Sequence, residues 1–164
     1  MAERLSFRWS YIIAPLAVFL LSLILAAYFY HLLPAELATH FELDGTPDGW
    51  LSRETVMVWL LLPQLVFVLV AAVIAWGISW LSRRFGQVGN GVMGERVVLF
   101  MGNLVALPQL LVCFTMADIF RYNLSQRHIM PMWVFSLIIL GLVTIALVVF
   151  LVYVFSKLRG GQRG

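Results

Sequence analysis

The sequence predicts an all-α membrane protein with four transmembrane helices and a short ordered outer loop between the first and second. Three observations predict it. Apolar residues make up 62% of the chain and charged residues only 12%, about half the charged share of a soluble domain. Four apolar runs are each long enough to cross a hydrocarbon layer of ~30 Å at about 1.5 Å per residue. Lysine and arginine gather in short clusters beside the ends of these runs. The runs use most of the 164 residues, so residues 1–164 read as a single membrane domain with no room for a soluble one.

The first span covers 11–33 and follows Arg4 and Arg8. Its apolar core exceeds the ~7 to 15 residues of a secretory signal. Tyr28, Phe29 and Tyr30 stand where a cleavage site needs small side chains, so the run reads as an anchor. The second span, 54–81, contains Pro63 and Gly77 and ends in Trp76, Trp80, Arg83 and Arg84, a mixture suited to a membrane interface. A glycine-rich turn over 85–95 leads to the third, 96–119, which holds Asn103, Pro108, Gln109 and Asp118. Those polar residues leave a re-entrant segment open, but the run is long enough to cross and of the four only Asp118 is ionisable. The fourth, 131–156, is almost wholly apolar, with Ser136, Gly141 and Thr144 as a weak small-residue packing face.

Charge placement sets the expected orientation. Arg4, Arg8, Arg83, Arg84, Arg96, Lys157, Arg159 and Arg163 fall on one side of the four-span arrangement, and Arg53, Arg121 and Arg127 on the other. Short cytoplasmic segments carry the positive excess, so both termini are expected in the cytoplasm. Orientation alone accounts for these basic residues, although they also suit an anionic lipid or partner. The charges form no basic stripe of the kind that binds nucleic acid. Cys113, the sole cysteine, excludes an intrachain disulfide and a cysteine metal cluster.

The outward link, 34–53, is the most acidic part of the chain, with Glu36, Glu42, Asp44 and Asp48 against Arg53. Thr39 to Leu43 is short and β-prone, with His40 and Glu42 on one side and Phe41 and Leu43 on the other. Asp44-Gly45 and Asp48-Gly49 are turn dipeptides, and Pro47 fixes one backbone angle between them. The link therefore reads as an ordered cap. His40, Glu42, Asp44, Gly45, Pro47, Asp48, Gly49, Trp50 and Arg53 are its candidate recognition residues.

Pro34, His40, Phe41, Gly45, Pro47, Asp48, Gly49, Trp50, Ser52 and Arg53 together resemble the signature of the DUF1648 membrane proteins. That prokaryotic family is related to the immunity protein against the sporulation-delaying toxin. In the family a proline ends the first helix, and a loop of the type P-x-x-[IV]-P-x-H-[FW]-N-x-x-G-x-P-D-G-x-x-S-K leads into the second. The resemblance covers the first two spans and their link, without a gap from His40 to Arg53. Ala38 replaces a second proline, Glu42 an asparagine and Arg53 a lysine. The resemblance implies a multi-pass protein of a prokaryotic cell membrane, and it identifies a module rather than an activity.

The link also offers the donor types of a cation site. Asp44, Thr46, Asp48, Gly49, Leu51 and Ser52 mimic positions 1, 3, 5, 6, 8 and 9 of a calcium loop. Glu54 then falls at position 11, whereas the bidentate acid belongs at 12. Ordinary turn, cap and interface roles explain every residue of the link, so no metal and no cofactor is assigned.

Inside the membrane, Leu62-Pro63-Gln64-Leu65 in the second span echoes Leu107-Pro108-Gln109-Leu110 in the third. Both glutamines lie about 10 residues, ~15 Å, below the outer surface. Gln64, Asn103, Gln109 and Asp118 are the candidate intramembrane polar residues. They suit either a polar cavity near midplane or interhelical hydrogen bonds that fix packing, and packing is the commoner use. For Asp118 the nearest expected partner is Arg121, three residues on.

No catalytic constellation stands out, so an enzyme is not expected. The reading adopted is a non-enzymatic immunity, sensing or signalling module embedded in the lipid bilayer, meeting a peptide or protein partner at the outer loop. Two alternatives stay open. One is a small anchor or accessory subunit within a larger membrane complex. The other is a component of a small-solute transporter or channel that uses Gln64, Gln109 and Asn103 as a polar path.

Overall fold

The computed structural model describes residues 7–42, 46–85 and 92–160, with side chains over 7–42, 46–81 and 94–156. A 3-10 turn, Trp9–Ile12, runs into α1, Ile13–Phe29. A hairpin follows, β1 Glu36–Phe41 and β2 Pro47–Ser52. Helices α2 (Arg53–Phe85), α3 (Val92–Leu104), α4 (Ala106–Ser125) and α5 (Met132–Gly160) complete the chain. Four stretches are long and apolar enough to cross a membrane: Trp9–Phe29, Arg53–Leu81, Gly94–Ser125 and Met132–Ser156. The chain is a multi-pass membrane protein.

Two elements differ from the sequence reading. Where the acidic link was expected as a loop over 34–53, the strands pair antiparallel, with Glu36 opposite Ser52, Leu37 opposite Leu51 and Ala38 opposite Trp50. Asp48-Gly49 is therefore strand, not turn, and Pro47 opens β2, a position where a missing N–H costs no ladder bond. The third span is not one helix over 96–119 but two, α3 and α4, meeting at Val105. Proline at 108 cannot donate to the carbonyl four residues earlier, and that residue, Leu104, is where α3 stops. The same tetrapeptide leaves α2 continuous through Pro63.

Helices α1, α2 and α4 pack against one another, α3 packs on α2, and α5 leans on α4. Two apolar clusters hold the bundle. One, toward the hairpin, comprises Ala26, Leu33, Leu37, Val56, Met57, Leu60, Met116, Ile119 and Phe120. The other, toward the chain termini, comprises Tyr11, Ile12, Ala71, Ala75 and Val98. Gln64 and Gln109, both fully buried, lie between them.

Close approach decides one glycine. A Cβ on Gly102 would stand 2.1 Å from the Tyr11 carbonyl oxygen, so the 3-10 turn Trp9–Ile12 can lie against α3 only because residue 102 has no side chain. Gly141 has open space around it. The expected packing face on the fourth span is therefore not used there, and Ser136 and Thr144 bond back to their own helix, at Met132 and Leu140.

Candidate functional site

The hairpin is fixed at its base and along one edge. At the base, Arg53 donates to the carbonyls of Tyr30 (3.0 Å) and Leu33 (3.2 Å) and stacks its guanidinium 4.3 Å from the Tyr30 ring centre. These carbonyls lie just past α1, at its cap and in the turn that leads to the hairpin, where the backbone needs donors from outside the helix. Arg53 thus ties α1 to α2 rather than facing a ligand. Its backbone N–H also bonds Ala35, and the Glu42 N–H bonds the Thr46 carbonyl at the far end.

Along the edge, Asn123 of α4 serves both backbone groups of Ala38. Its Oδ1 accepts the Ala38 N–H at 2.9 Å and its Nδ2 donates to the Ala38 carbonyl at 3.0 Å. A side-chain amide here does what another strand would do, so β1 has a partner on each side. Leu37 and Ala38 are buried beneath.

Beyond Ala38 the ladder slips by bulges on both sides of His40. The slip leaves His40 outside, 76% exposed, with Nδ1 2.5 Å from Asp48 Oδ1. It turns Phe41 inward. A Cβ on Gly49 would lie 2.9 Å from the His40 Cβ, so the glycine of the motif makes room for the histidine that crosses it.

Phe41 meets Tyr122 and His128 edge-on, with ring centres 4.6 and 4.8 Å apart, while Tyr122 and His128 stack at 4.7 Å. Asp118 lies behind this group, 8% exposed. Its Oδ2 accepts from His128 Nδ1 at 2.7 Å and its Oδ1 accepts the Ile129 N–H at 2.6 Å. The expected Asp118 and Arg121 pair does not form. A buried carboxylate needs donors on both oxygens, and the link between α4 and α5 supplies them by turning at Gln126, whose φ of 55° closes α4 in a left-handed cap.

These contacts frame a cleft of about 980 Å³ between β1 and the α4–α5 corner. His40, Phe41 and Glu42 form one wall, Asp118 and His128 the other, and Ile119, Met130, Met132 and Trp133 an apolar floor. Imidazole and carboxylate over an apolar floor can hold a cationic, amphipathic group. Among the described residues no set of three or more His, Cys, Asp or Glu side chains could hold a metal ion.

The other candidates go elsewhere. Asp44 and Gly45 lie outside the described residues. Trp50, 55% exposed, stands on the hairpin's outer side. Gln64 and Gln109 do meet: Gln109 Nε2 donates to the carbonyls of Pro15 (3.1 Å) and Gln64 (3.3 Å), and Gln64 Nε2 approaches the Gln109 carbonyl at 3.5 Å. Asn103 accepts the Ala14 N–H at 2.8 Å and donates to Ser10 and Leu99 carbonyls, which caps the unsatisfied start of α1. All three amides thus bind backbone, and Asp118 belongs to the outer cleft instead. Sequence reasoning missed Asn123 and Tyr122 and left His128 unassigned. The signal for them was a polar run, 121–128, at the end of a span.

Comparison with protein families adds one finding. Residues 17–63 match the family described as a domain of unknown function, DUF1648. The chain carries a DUF1648 domain. It spans most of α1, the whole hairpin and the start of α2, and stops at Pro63, one residue short of Gln64. The comparisons with curated proteins and with solved structures give no match. One wall of the cleft therefore belongs to the DUF1648 domain, and the other wall and the floor belong to residues after it.

Proposed function

We propose that this chain is a non-enzymatic sensing or immunity-type module of a prokaryotic cell membrane, with both termini cytoplasmic, that takes up a basic amphipathic peptide in the outer cleft. The observation that carries the reading is the cleft itself, where the motif residues His40 and Phe41, with Glu42 beside them, face Asp118 and His128 across an apolar floor. Charge supports the sign of the ligand. Among the described residues the hairpin end holds Glu36, Glu42, Asp48, Glu54 and Asp118 against Arg53, Arg121 and Arg127, and Arg53 is already spent on the Tyr30 and Leu33 carbonyls. Such a field draws cations toward the surface and sets which partner is accepted. An amphipathic helix then seats its apolar face on Met130, Met132 and Trp133.

The test uses the full chain in phosphatidylcholine vesicles of known orientation and a lysine-leucine amphipathic helix, with empty vesicles subtracted. Binding is expected only where the hairpin faces the added peptide. Glu42→Gln should weaken it about fivefold, the effect of one partly screened charge pair, and Trp133→Ala should also weaken it. Binding unchanged by both substitutions, or equal from either side, would contradict the proposal.

A further inference from the structure

At the end of the bundle opposite the hairpin, α3 and α5 leave a crevice of about 380 Å³. Phe100, Ala146, Val149 and Phe150 wall it, and Arg96 and Tyr153 stand at its mouth. The Phe100 and Phe150 rings stack with centres 4.0 Å apart. Arg96 donates to the Tyr153 hydroxyl at 2.8 Å and its guanidinium lies 5.2 Å from the Tyr153 ring centre. Among the described residues no carboxylate pairs with Arg96, and its neighbour Glu95 is held by Arg8.

Three features select the occupant. Arg96 is exposed, and a guanidinium carries five donors in a planar fork that suits phosphate oxygens; a single neutral hydroxyl uses only one. The slot beneath it is apolar and lies between two spans, so it opens to acyl chains rather than to water. The sequence at the helix ends on this side is one-sided in charge: Arg8, Arg83, Arg84, Arg96, Lys157 and Arg159 stand against Glu95 among the described residues. A free phosphate would leave the apolar slot unfilled.

We infer that this crevice is a binding site for one anionic phospholipid, its phosphate on Arg96 and the Tyr153 hydroxyl and an acyl chain along Phe100, Val149 and Phe150. The site is independent of the outer cleft and shares no residue with it. A lipid seated there would also cover part of α5, which buries little of its own surface.

Native mass spectrometry of the full chain, titrated in detergent with phosphatidylglycerol or phosphatidylcholine, tests this. The unaltered chain should retain one phosphatidylglycerol in preference to phosphatidylcholine. Arg96→Gln should lower that preference about fivefold, the share of one basic residue near an anionic head group. Ala146→Phe, which fills the slot and leaves Arg96 in place, should abolish retention of the single lipid. Arg83→Gln, removing one charge from the same end, should change the preference less than twofold. Equal retention of the two lipids, equal effects of Arg96→Gln and Arg83→Gln, or full retention by Ala146→Phe would each overturn the assignment.

Discussion

At the residue scale, single atoms decide how closely the helices approach. Gly102 lets the Tyr11 carbonyl lie where a Cβ would have to be, and Asn103 beside it takes the Ala14 N–H that α1 leaves unsatisfied at its start. Gly102→Ala must push α3 off the 3-10 turn that holds Tyr11 and should destabilise the protein by about 3 kcal/mol, the upper range for overpacking. Gly141→Ala meets nothing within 4 Å and should be neutral or stabilising by up to about 1 kcal/mol, since alanine favours a helix over glycine. Thermal unfolding of both variants in detergent separates them; equal melting temperatures would mean that α3 does not touch Tyr11. Nothing in the sequence marks Gly102 as different from Gly141. The difference lies in which backbone the fold brings opposite, and a sequence read along one dimension does not contain it.

At the scale of elements, the spans were legible and the details of their ends were not. Hydropathy and length suffice for four crossings because the bilayer rewards little else. The echo of Pro63-Gln64 and Pro108-Gln109 also gave the right pairing of α2 with α4, since equal depth on antiparallel helices places the two amides together. The break at Val105 was harder, because the same tetrapeptide keeps α2 whole; what differs is the surrounding packing, with Gly102 and Asn103 just before Pro108 in one case only.

The hairpin was read as an ordered cap but not as paired strands. Its outer edge is held by Asn123, which lies 85 residues from Ala38. Asn123→Ala removes two hydrogen bonds to β1 at the outer end of the bundle and should cost about 2 kcal/mol. Hydrogen exchange should show the loss first in the peptide that contains the Ala38 amide, with α2 unaffected. Protection there equal to that of the unaltered chain would rule out the docking role of Asn123.

At the scale of the whole molecule, the outer site is composite. The DUF1648 domain contributes the hairpin, and the last two helices contribute the corner it rests on. The resemblance covers only the first two spans, so it drew attention to His40 and Phe41, and the acidic link to Glu42, but neither could point to Tyr122, His128 or Trp133. Asp118 was singled out as ionisable but assigned to Arg121, since local spacing cannot foresee that the chain returns at Gln126 and brings His128 back over it. The hairpin and the corner touch through Phe41, which meets Tyr122 and His128 within 5 Å of their ring centres. A photoreactive benzophenone amino acid introduced at position 41 of the full chain in a lipid bilayer therefore reads this contact directly. Irradiation should join position 41 to a peptide from residues 122–133. Capture of lipid alone, or of a segment elsewhere in the chain, would contradict a cleft built from both parts.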